Sequence, residues 1–288
     1  MLNAFTVDVE DYFQVSAFEK HIDRTEWNQY PHHVVENTKK ILDLLASQNV
    51  HATFYILGWV ANEYPAMVRE IAAAGHELAS HSYWHRLVYE LTPDQFRQDL
   101  RDSKQAIEDA SGVAVDAYRA PSFSITQKSI WALDVLAEEG FRCDSSIFPI
   151  VHDRYGMPGA KTTIHEIKTK SGSLWEFPPS VRNFGKLHVP ISGGGYFRLF
   201  PTAFTINSFR RLNKSGQPFM FYIHPWEVDP DQMRMPFASL STKFRHYVNL
   251  SKTHRKLERL LEAFSFGTLS DVLKQHQQTL PAEFATSA

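Results

Sequence analysis

The sequence has 288 residues, 43% of them hydrophobic and 13% aromatic, so the chain can bury a large core. Its 30 basic and 32 acidic side chains leave a net charge of −2, which argues against a nucleic acid or other polyanion as an obligate partner, because phosphate binding needs a concentrated basic surface. Cys143 is the only cysteine, which is typical of a reducing compartment. The chain begins as a strand rather than a secretory signal, and no apolar run reaches the roughly 18–20 residues of a membrane span. We therefore expect a cytoplasmic protein.

Short apolar strands alternate with helices in the first half of the chain. Thr92 and Pro93 form a typical helix start, a capping hydroxyl followed by a first-turn proline. Up to residue 144 the apolar spacing predicts strands at 4–9, 53–57, 77–80, 117–119 and 141–144, and helices at 31–48, 65–74, 93–112 and 126–139.

The second half of the chain is less regular. Residues 148–200 are rich in Gly and Pro and include the run Gly193-Gly194-Gly195, so we expect irregular loops and extra strands inserted in the same domain. Beyond them the pattern predicts helices at 202–213, 257–264 and 269–277 and strands at 219–223 and 266–268.

Strands that alternate with helices of this length are typical of parallel pairing through crossover connections. The number of strands favours a barrel that is distorted or incomplete. We therefore predict an α/β fold, a (β/α) barrel of this kind, built as one domain over residues 1–288 with an irregular insertion at about 148–200.

Two histidines lie four residues apart, in His81-Ser-Tyr-Trp-His85, directly after the strand at 77–80. One turn of helix would place both imidazoles on one face, where they can bind one ion. Imidazole suits zinc and neighbouring transition metals, and a hydrolytic site needs only one further protein ligand and water. The acidic cluster Asp8-Val-Glu10-Asp11 ends the first strand and offers that ligand.

Two more reactive side chains, Arg119 and His224, also follow predicted strands. Because active sites of α/β barrels lie at the carboxyl ends of the strands, we expect these residues to meet the histidine pair and the acidic cluster.

This set of motifs resembles the polysaccharide deacetylases of carbohydrate esterase family 4, the NodB-homology family. The resemblance spans roughly residues 3–280, and some of the segments are similar to the subgroup found in exopolysaccharide loci associated with the exosortase system. The family's five segments appear in order, as Thr6-Val-Asp8-Val-Glu10-Asp11, His81–His85, Arg119-Ala-Pro121-Ser122, Cys143-Asp144-Ser-Ser146 and Phe221-Tyr-Ile-His224.

The resemblance implies an NodB-type barrel with a family-specific C-terminal part. It also implies a hydrolase that removes N-acetyl groups from N-acetylhexosamine units of an exopolysaccharide or its precursor, with an N-acetylated oligo- or polysaccharide as its partner. The implied cofactor is a divalent metal, zinc first, with cobalt or nickel as alternatives.

The resemblance also implies roles for single residues. Asp8 would be the general base and His224 the general acid. Arg119 would orient Asp8, Asp144 would support His224, and the backbone N–H at Ser122 would stabilise the oxyanion.

The carboxylate ligand is where this chain departs from most of the family, whose members carry adjacent aspartates. Val9 follows Asp8 here, so the ligand is Glu10 or Asp11. We favour Glu10, because alternation along a strand places it on the side of Asp8; Asp11 reaches the ion only if the chain turns immediately after Val9.

Aromatic side chains next to the reactive residues are candidates for stacking on sugar rings, and Tyr12, Trp84 and Trp226 are the best placed. Two other functions stay open: an allantoinase-like hydrolase that opens a cyclic amide, and an inactive homologue that only binds carbohydrate.

Overall fold

A mainly parallel sheet surrounded by helices organises the protein. The computed structural model describes residues 1–152, 154–185 and 187–279. Its strands are β1 Leu2–Val9, β2 Thr53–Ile56, β3 Glu77–Ser80, β4 Ala117–Tyr118, β5 Cys143–Asp144, β6 His165–Lys168, β7 Ser173–Glu176, β8 Val181–Phe184, β9 Leu187–Pro190, β10 Met220–Ile223 and β11 Ser265–Gly267.

The helices lie mainly between consecutive strands of the sheet. They are α1 Val34–Ser47, α2 Gly58–Glu63, α3 Pro65–Ala73, α4 Pro93–Ser111, α5 Ala132–Glu138, α6 Gly194–Leu199, α7 Thr202–Lys214, α8 Leu240–Tyr247, α9 Leu250–Ala263 and α10 Leu269–Gln278. Short 3₁₀ helices occupy Arg24–Gln29, Val88–Glu90, Pro121–Phe123, Gln127–Ser129 and Pro225–Val228.

The strand order is β10-β1-β2-β3-β4-β5-β7-β6, with β11 paired to the start of β1. All neighbours run parallel except β6 and β7, and β8–β9 is a separate hairpin. Among the described residues β6 and β10 do not pair; instead Ser180 Oγ accepts a hydrogen bond from Met220 N and Ser192 O accepts one from Tyr222 N. The predicted α/β fold with an incomplete barrel is thus confirmed.

Two apolar clusters hold the sheet in place. The larger one lies between the sheet and the helices and includes Phe54, Leu100 and Ile107. The smaller one lies on the other side of the sheet, with Tyr55 and Met220 among its members. Seven of the eight residues of β1 are buried, as expected of a parallel strand covered on both faces.

Helix α10 closes the end of the barrel away from the site. Its residues Leu269, Val272 and Leu273 belong to the smaller cluster. The N–H of Leu269 donates to Oγ1 of Thr53, the first residue of β2, at 2.7 Å, and Ser270 donates to Glu77 at the start of β3. The amino ends of the strands are therefore covered, which leaves their carboxyl ends for chemistry.

Several predicted element boundaries were wrong. Helix α1 begins at Val34 rather than residue 31, because the Asp11 carboxylate accepts the N–H groups of His33 and Val34. The predicted helix at 126–139 is a 3₁₀ turn followed by α5, and α9 begins seven residues earlier than predicted. Helices α2, α6 and α8 were not predicted.

The glycine run at 193–195 has a packing role. A Cβ on Gly193 would lie 1.9 Å from the carbonyl oxygen of Tyr222, and one on Gly194 would lie 2.9 Å from the Tyr222 hydroxyl. Because only glycine permits this approach, the run lets the start of α6 lie directly against β10.

Candidate metal centre and active site

The carboxyl ends of four strands bring the predicted reactive residues together. Glu10 follows β1, His81 follows β3, Arg119 follows β4 and His224 follows β10. This is the edge at which parallel barrels place their active sites.

Glu10, His81 and His85 form a group that can hold a metal ion. Each offers one ligand atom, these atoms lie within 4.8 Å of one another, and all three residues are buried. His81 Nδ1 is 2.8 Å from the carbonyl oxygen of Arg119. A neutral ring that donates from Nδ1 leaves Nε2 free as a ligand, the usual arrangement around metal-binding histidines.

The histidine pair does not lie on a helix, so the prediction that one helical turn places both imidazoles on one face was wrong. Residues 81–87 form a loop in which Ser82 and His85 have positive φ angles of 73° and 53°. Such backbone is costly outside glycine and persists only when its surroundings impose it. The loop geometry, rather than helical spacing, brings the two imidazoles to a centroid distance of 5.4 Å.

Asp99 of α4 holds this loop, and it was not among the residues selected from the sequence. Its carboxylate accepts from the Ser82 hydroxyl at 2.6 Å and from the N–H groups of Tyr83 and Trp84 at 2.9 and 3.4 Å. The residue is only 5% exposed. An acidic residue on the buried side of an amphipathic helix, between Phe96 and Ser103, is the signal that identifies it.

Of the two candidate carboxylates, only Glu10 faces the histidines. Its Oε2 lies 2.8 Å from His85 Nε2. The carboxylate of Asp11 accepts from the backbone N–H groups of Tyr12, His33 and Val34 at 2.7–3.0 Å. Asp11 as a ligand is therefore contradicted: it fixes the turn after β1 and the start of α1.

The donor set fits a divalent cation. The contact between Glu10 Oε2 and His85 Nε2 is not aligned as a hydrogen bond, and Oε2 is buried without a hydrogen-bond partner among the described residues. Burial lowers the pKa of His81 to about 4, so its ring is neutral. Burial raises the pKa of Glu10, but His85 and His224 lower it more, to about 2, so the carboxylate is ionised. Two imidazoles and a carboxylate form a typical zinc ligand set.

Asp8 lies beside this group and is held by Arg119. Asp8 Oδ1 is 2.5 Å from Arg119 Nη1, and both side chains are almost fully buried. Arg119 also donates to Thr6 Oγ1 at 2.9 Å and Ser145 Oγ at 3.1 Å, and its guanidinium lies 4.0 Å from the centre of the Tyr55 ring. The other oxygen of Asp8 remains on the side of His224, 3.9 Å from Nε2.

His224 is supported by Glu227 and not by Asp144. Glu227 Oε1 is 2.7 Å from His224 Nδ1, and Glu227 Oε2 is 2.5 Å from Nε of the buried Arg198. Arg198, in α6, also donates to the backbone carbonyls of Arg245, His246 and Val248. The predicted support of His224 by Asp144 was therefore wrong, and neither Glu227 nor Arg198 was selected from the sequence.

Asp144 instead belongs to a buried carboxyl pair. It accepts from Ser146 Oγ at 2.5 Å, while Glu176 accepts the N–H of Ile147. Burial raises the pKa of Asp144 to about 6 and that of Glu176 further. The negative charge of Asp144 further raises the pKa of Glu176, so the two buried carboxyl groups titrate as a coupled pair.

The environment of His224 favours its charged form. Burial lowers its pKa, but the carboxylates of Glu10, Glu227 and Asp8 more than offset that effect and raise the pKa to about 9. Its Nε2 lies on the open side, 3.6 Å from Glu10 Oε1. The ring thus presents a proton toward the candidate metal centre.

Two of the three aromatic side chains predicted to bind sugar lie too deep to do so. Tyr12 is fully buried and Trp226 is 5% exposed. The indole N–H of Trp226 donates to Glu10 Oε1 at 3.2 Å, so Trp226 positions the carboxylate ligand. Trp84 is half-buried and lies on the histidine loop, where stacking on a sugar is possible.

Ser122 lies at the turn after β4. It and Phe123 have positive φ angles of 51° and 52°, and the Ser122 hydroxyl is 2.8 Å from Ser16 Oγ. Four of the six non-glycine residues with positive φ in the described part of the chain, namely Ser82, His85, Ser122 and Phe123, therefore lie on two loops of this site. Backbone strain concentrated in this way is typical of functional sites.

Comparisons with known proteins bear on the family and the fold. Residues 26–142 match the polysaccharide deacetylase family, and residues 145–274 match a family described as a domain of unknown function, DUF3473. The chain is 33% identical over 101 residues to a peptidoglycan-N-acetylglucosamine deacetylase of Bacillus cereus. The aligned residues cover 35% of this chain and 37% of that protein. It is also 34% identical over 102 residues to a chitooligosaccharide deacetylase of Bradyrhizobium, and these residues cover 35% of this chain and 43% of that protein. The chain thus aligns with less than half of the length of these relatives.

A solved structure has a similar fold over nearly the whole chain. It is assigned as a polysaccharide deacetylase from Mycobacterium smegmatis. The two structures superpose with a TM-score of 0.62 at 21% sequence identity, and the superposition covers 96% of this chain and 91% of the other. That identity supports the fold alone. The family match shows that residues 26–142 belong to a polysaccharide deacetylase domain of the NodB-homology type, carbohydrate esterase family 4, and the structural similarity shows that the fold is shared over nearly the whole chain.

Proposed function

We propose that this protein is a metal-dependent hydrolase that removes N-acetyl groups from N-acetylhexosamine units of an exopolysaccharide or its precursor. One observation carries the proposal: a three-ligand group, Glu10, His81 and His85, lies at one strand edge with a carboxylate, Asp8, and a cationic imidazole, His224, beside it. Relatives named as deacetylases of N-acetylglucosamine polymers and chitooligosaccharides support the reaction class.

Zinc, or cobalt or nickel in its place, would be held by Glu10, His81 and His85. When bound, such an ion polarises an acetyl carbonyl and makes water more acidic, the two properties that amide hydrolysis lacks at neutral pH. Trp226 keeps Glu10 in place through its indole N–H, and Arg119 keeps the ring of His81 in place through its carbonyl oxygen.

The chain's own residues would move the protons. Asp8 accepts the proton of the attacking water, and Arg119 holds the carboxylate in its orientation. His224 delivers a proton to the departing sugar amine, which is a poor leaving group unless protonated. Glu227 keeps the proton-bearing ring aligned and stabilises its charge. The backbone N–H of Ser122 is our candidate donor to the oxyanion.

Three segments of the chain support the proposed substrate. The similarity of Asp8–Tyr12, Arg119–Phe123 and His224–Glu227 to the exopolysaccharide-associated subgroup favours an exopolysaccharide or its precursor. The match of residues 145–274 to a separate family agrees with that subgroup.

We further propose a cytoplasmic location, supported by the single buried cysteine, Cys143. Within the described residues, no helix is long and apolar enough to span a bilayer.

Acetate release tests the proposal. Purified protein should release acetate from defined N-acetylglucosamine oligomers, lose this activity after chelation and recover it with zinc, cobalt or nickel. His81→Ala should lower metal content and activity together. Asp8→Asn should abolish turnover with the metal still bound, and His224→Ala should lower turnover with the metal content unchanged.

The same assay separates the rival functions. Turnover of allantoin without acetate release would favour the cyclic amide hydrolase, and saturable binding of the oligomers without turnover would favour the inactive homologue. Loss of the metal from Asp8→Asn would contradict the separation of base and ligands.

A further inference from the structure

A basic face lies apart from the candidate active site. Residues 177–226 contain no Asp or Glu, although the chain has 32 acidic residues, and they contain six Lys and Arg. Of those that the structure describes, Arg198 alone contacts the site, through Glu227. The hairpin β8–β9 and helix α7 carry the others that the structure describes.

Four of these cations surround a pocket on the surface. The pocket has a volume of about 320 Å³ and is lined by Arg182, Phe204, Asn207, Arg210, Arg211 and Lys214. Arg210, Arg211 and Lys214 are exposed. We call this surface the basic face; no carboxylate of its own segment offsets its positive charge.

Apolar side chains project beside the basic face. Phe184 is 47% exposed and Leu187 is 63% exposed, and they are paired across the hairpin. The guanidinium of Arg182, which lines the pocket, lies 4.5 Å from the centre of the Phe184 ring. The apolar pair and the cations therefore belong to one continuous surface.

We propose that the basic face docks this protein onto the surface of an anionic lipid bilayer. Lipid phosphates would occupy the pocket between the cations, and Phe184 and Leu187 would enter the boundary between headgroups and acyl chains. Cations beside apolar side chains are the combination that interfacial binding uses. A nucleic acid or another soluble polyanion would match the charge but offer nothing to the exposed Leu187.

Vesicle sedimentation tests the docking. Full-length protein should bind vesicles of phosphatidylcholine mixed with phosphatidylglycerol, bind phosphatidylcholine alone far more weakly, and lose affinity as salt rises. Arg210→Gln combined with Arg211→Gln should weaken binding to the anionic vesicles about thirtyfold, the change expected for two cations at such a surface.

Lys39→Gln combined with Lys40→Gln is the matched control. It removes the same charge from two adjacent helical positions, but these lysines are paired with Glu36, Asp43 and Glu70, so binding should not change. Phe184→Ser combined with Leu187→Ser should weaken the binding that remains at high salt. Circular dichroism and turnover of soluble N-acetylglucosamine oligomers check that each variant folds.

Three results would overturn the proposal: equal binding to both kinds of vesicle, equal weakening by the two charge variants, or binding to a soluble polyanion such as RNA without binding to vesicles. Because oligomer turnover does not use the basic face, a failure here leaves the proposed deacetylase activity standing, and the reverse also holds.

Discussion

Single residues at this site show that neighbouring acids can have different roles. Glu10 and Asp11 are adjacent, yet Glu10 faces two imidazoles and Asp11 is occupied by three backbone N–H groups. Glu227 similarly takes the place that Asp144 was predicted to fill beside His224. A motif gives the type of residue at a position, but only the chain around it decides which atoms the side chain meets.

Glu227→Gln tests the support of His224. We expect kcat for acetate release to fall about 10–100-fold, the usual effect of removing a partner that orients an active-site histidine, with KM and metal content nearly unchanged. The variant should also be less stable, because Arg198 is left as a buried charge without its partner.

A double variant, Arg198→Met with Glu227→Gln, separates the two effects. Since it removes both buried charges, thermal stability should largely recover, while kcat should stay low. If kcat recovers together with stability, Glu227 has a structural role only.

At the scale of elements, a loop rather than the expected helical turn brings the two histidines together. The spacing of His81 and His85 suits one helical turn, but the chain forms a strained loop whose N–H groups are held by Asp99 of α4. Helix α4 itself was predicted well, because its ends carry local signals: a capping box of Thr92 and Gln95, and Gly112 in the left-handed conformation. The loop carries no such signal, since its partner lies on another element.

Asp99→Asn tests the role of α4 as an anchor of this loop. An amide offers one acceptor oxygen instead of two and adds donors that meet the N–H groups of the loop. We expect zinc affinity, measured by equilibrium dialysis, to fall about tenfold or more. Asp102→Asn on the same helix is the control, because Asp102 is half-buried and, within the described part of the chain, its side chain accepts a hydrogen bond only from Gln98. Equal zinc affinity in both variants would remove Asp99 from the support of the site.

At the scale of the whole molecule, charges are unevenly distributed although acidic and basic residues are nearly equal in number. The net charge of −2 predicted no concentrated basic surface, yet the hairpin β8–β9 and α7 bring four cations around one pocket. The interior holds charge as well: Arg119 and Arg198 are fully or almost fully buried, each against a carboxylate. Composition counts charges, but it does not report where folding places them.

A buried histidine makes the stability of the whole molecule depend on pH. Burial and the neighbouring Arg198 lower the pKa of His246 to about 3, although Glu227 and Glu10 act in the opposite direction. The unfolded chain therefore takes up a proton near the ordinary pKa of 6.5, while the folded protein does not. The free energy of unfolding should fall as the pH drops from about 6.5 toward 3, with a slope of up to about 1.4 kcal/mol per pH unit from this residue.

Denaturant unfolding at several pH values checks this prediction. His246→Gln should flatten the slope below pH 6.5, and His254→Gln should not, because His254 lies half-exposed on α9. A slope that is the same in all three proteins would show that His246 does not titrate in this way.

The sequence alone predicted the fold class, the resemblance to the polysaccharide deacetylases and most of the candidate site. Alternating apolar strands and capped helices encode the sheet locally. Asp8 lies near the end of β1, and Glu10, His81, His85, Arg119 and His224 come after strands whose carboxyl ends meet. Only the tertiary structure decided that Asp11 is not a ligand, that Tyr12 and Trp226 are buried, and that Glu227, Arg198 and Asp99 support the site. The reason is physical: each of these outcomes depends on a partner distant in the chain or on a turn of the backbone, and neither is written in the spacing of the residues themselves.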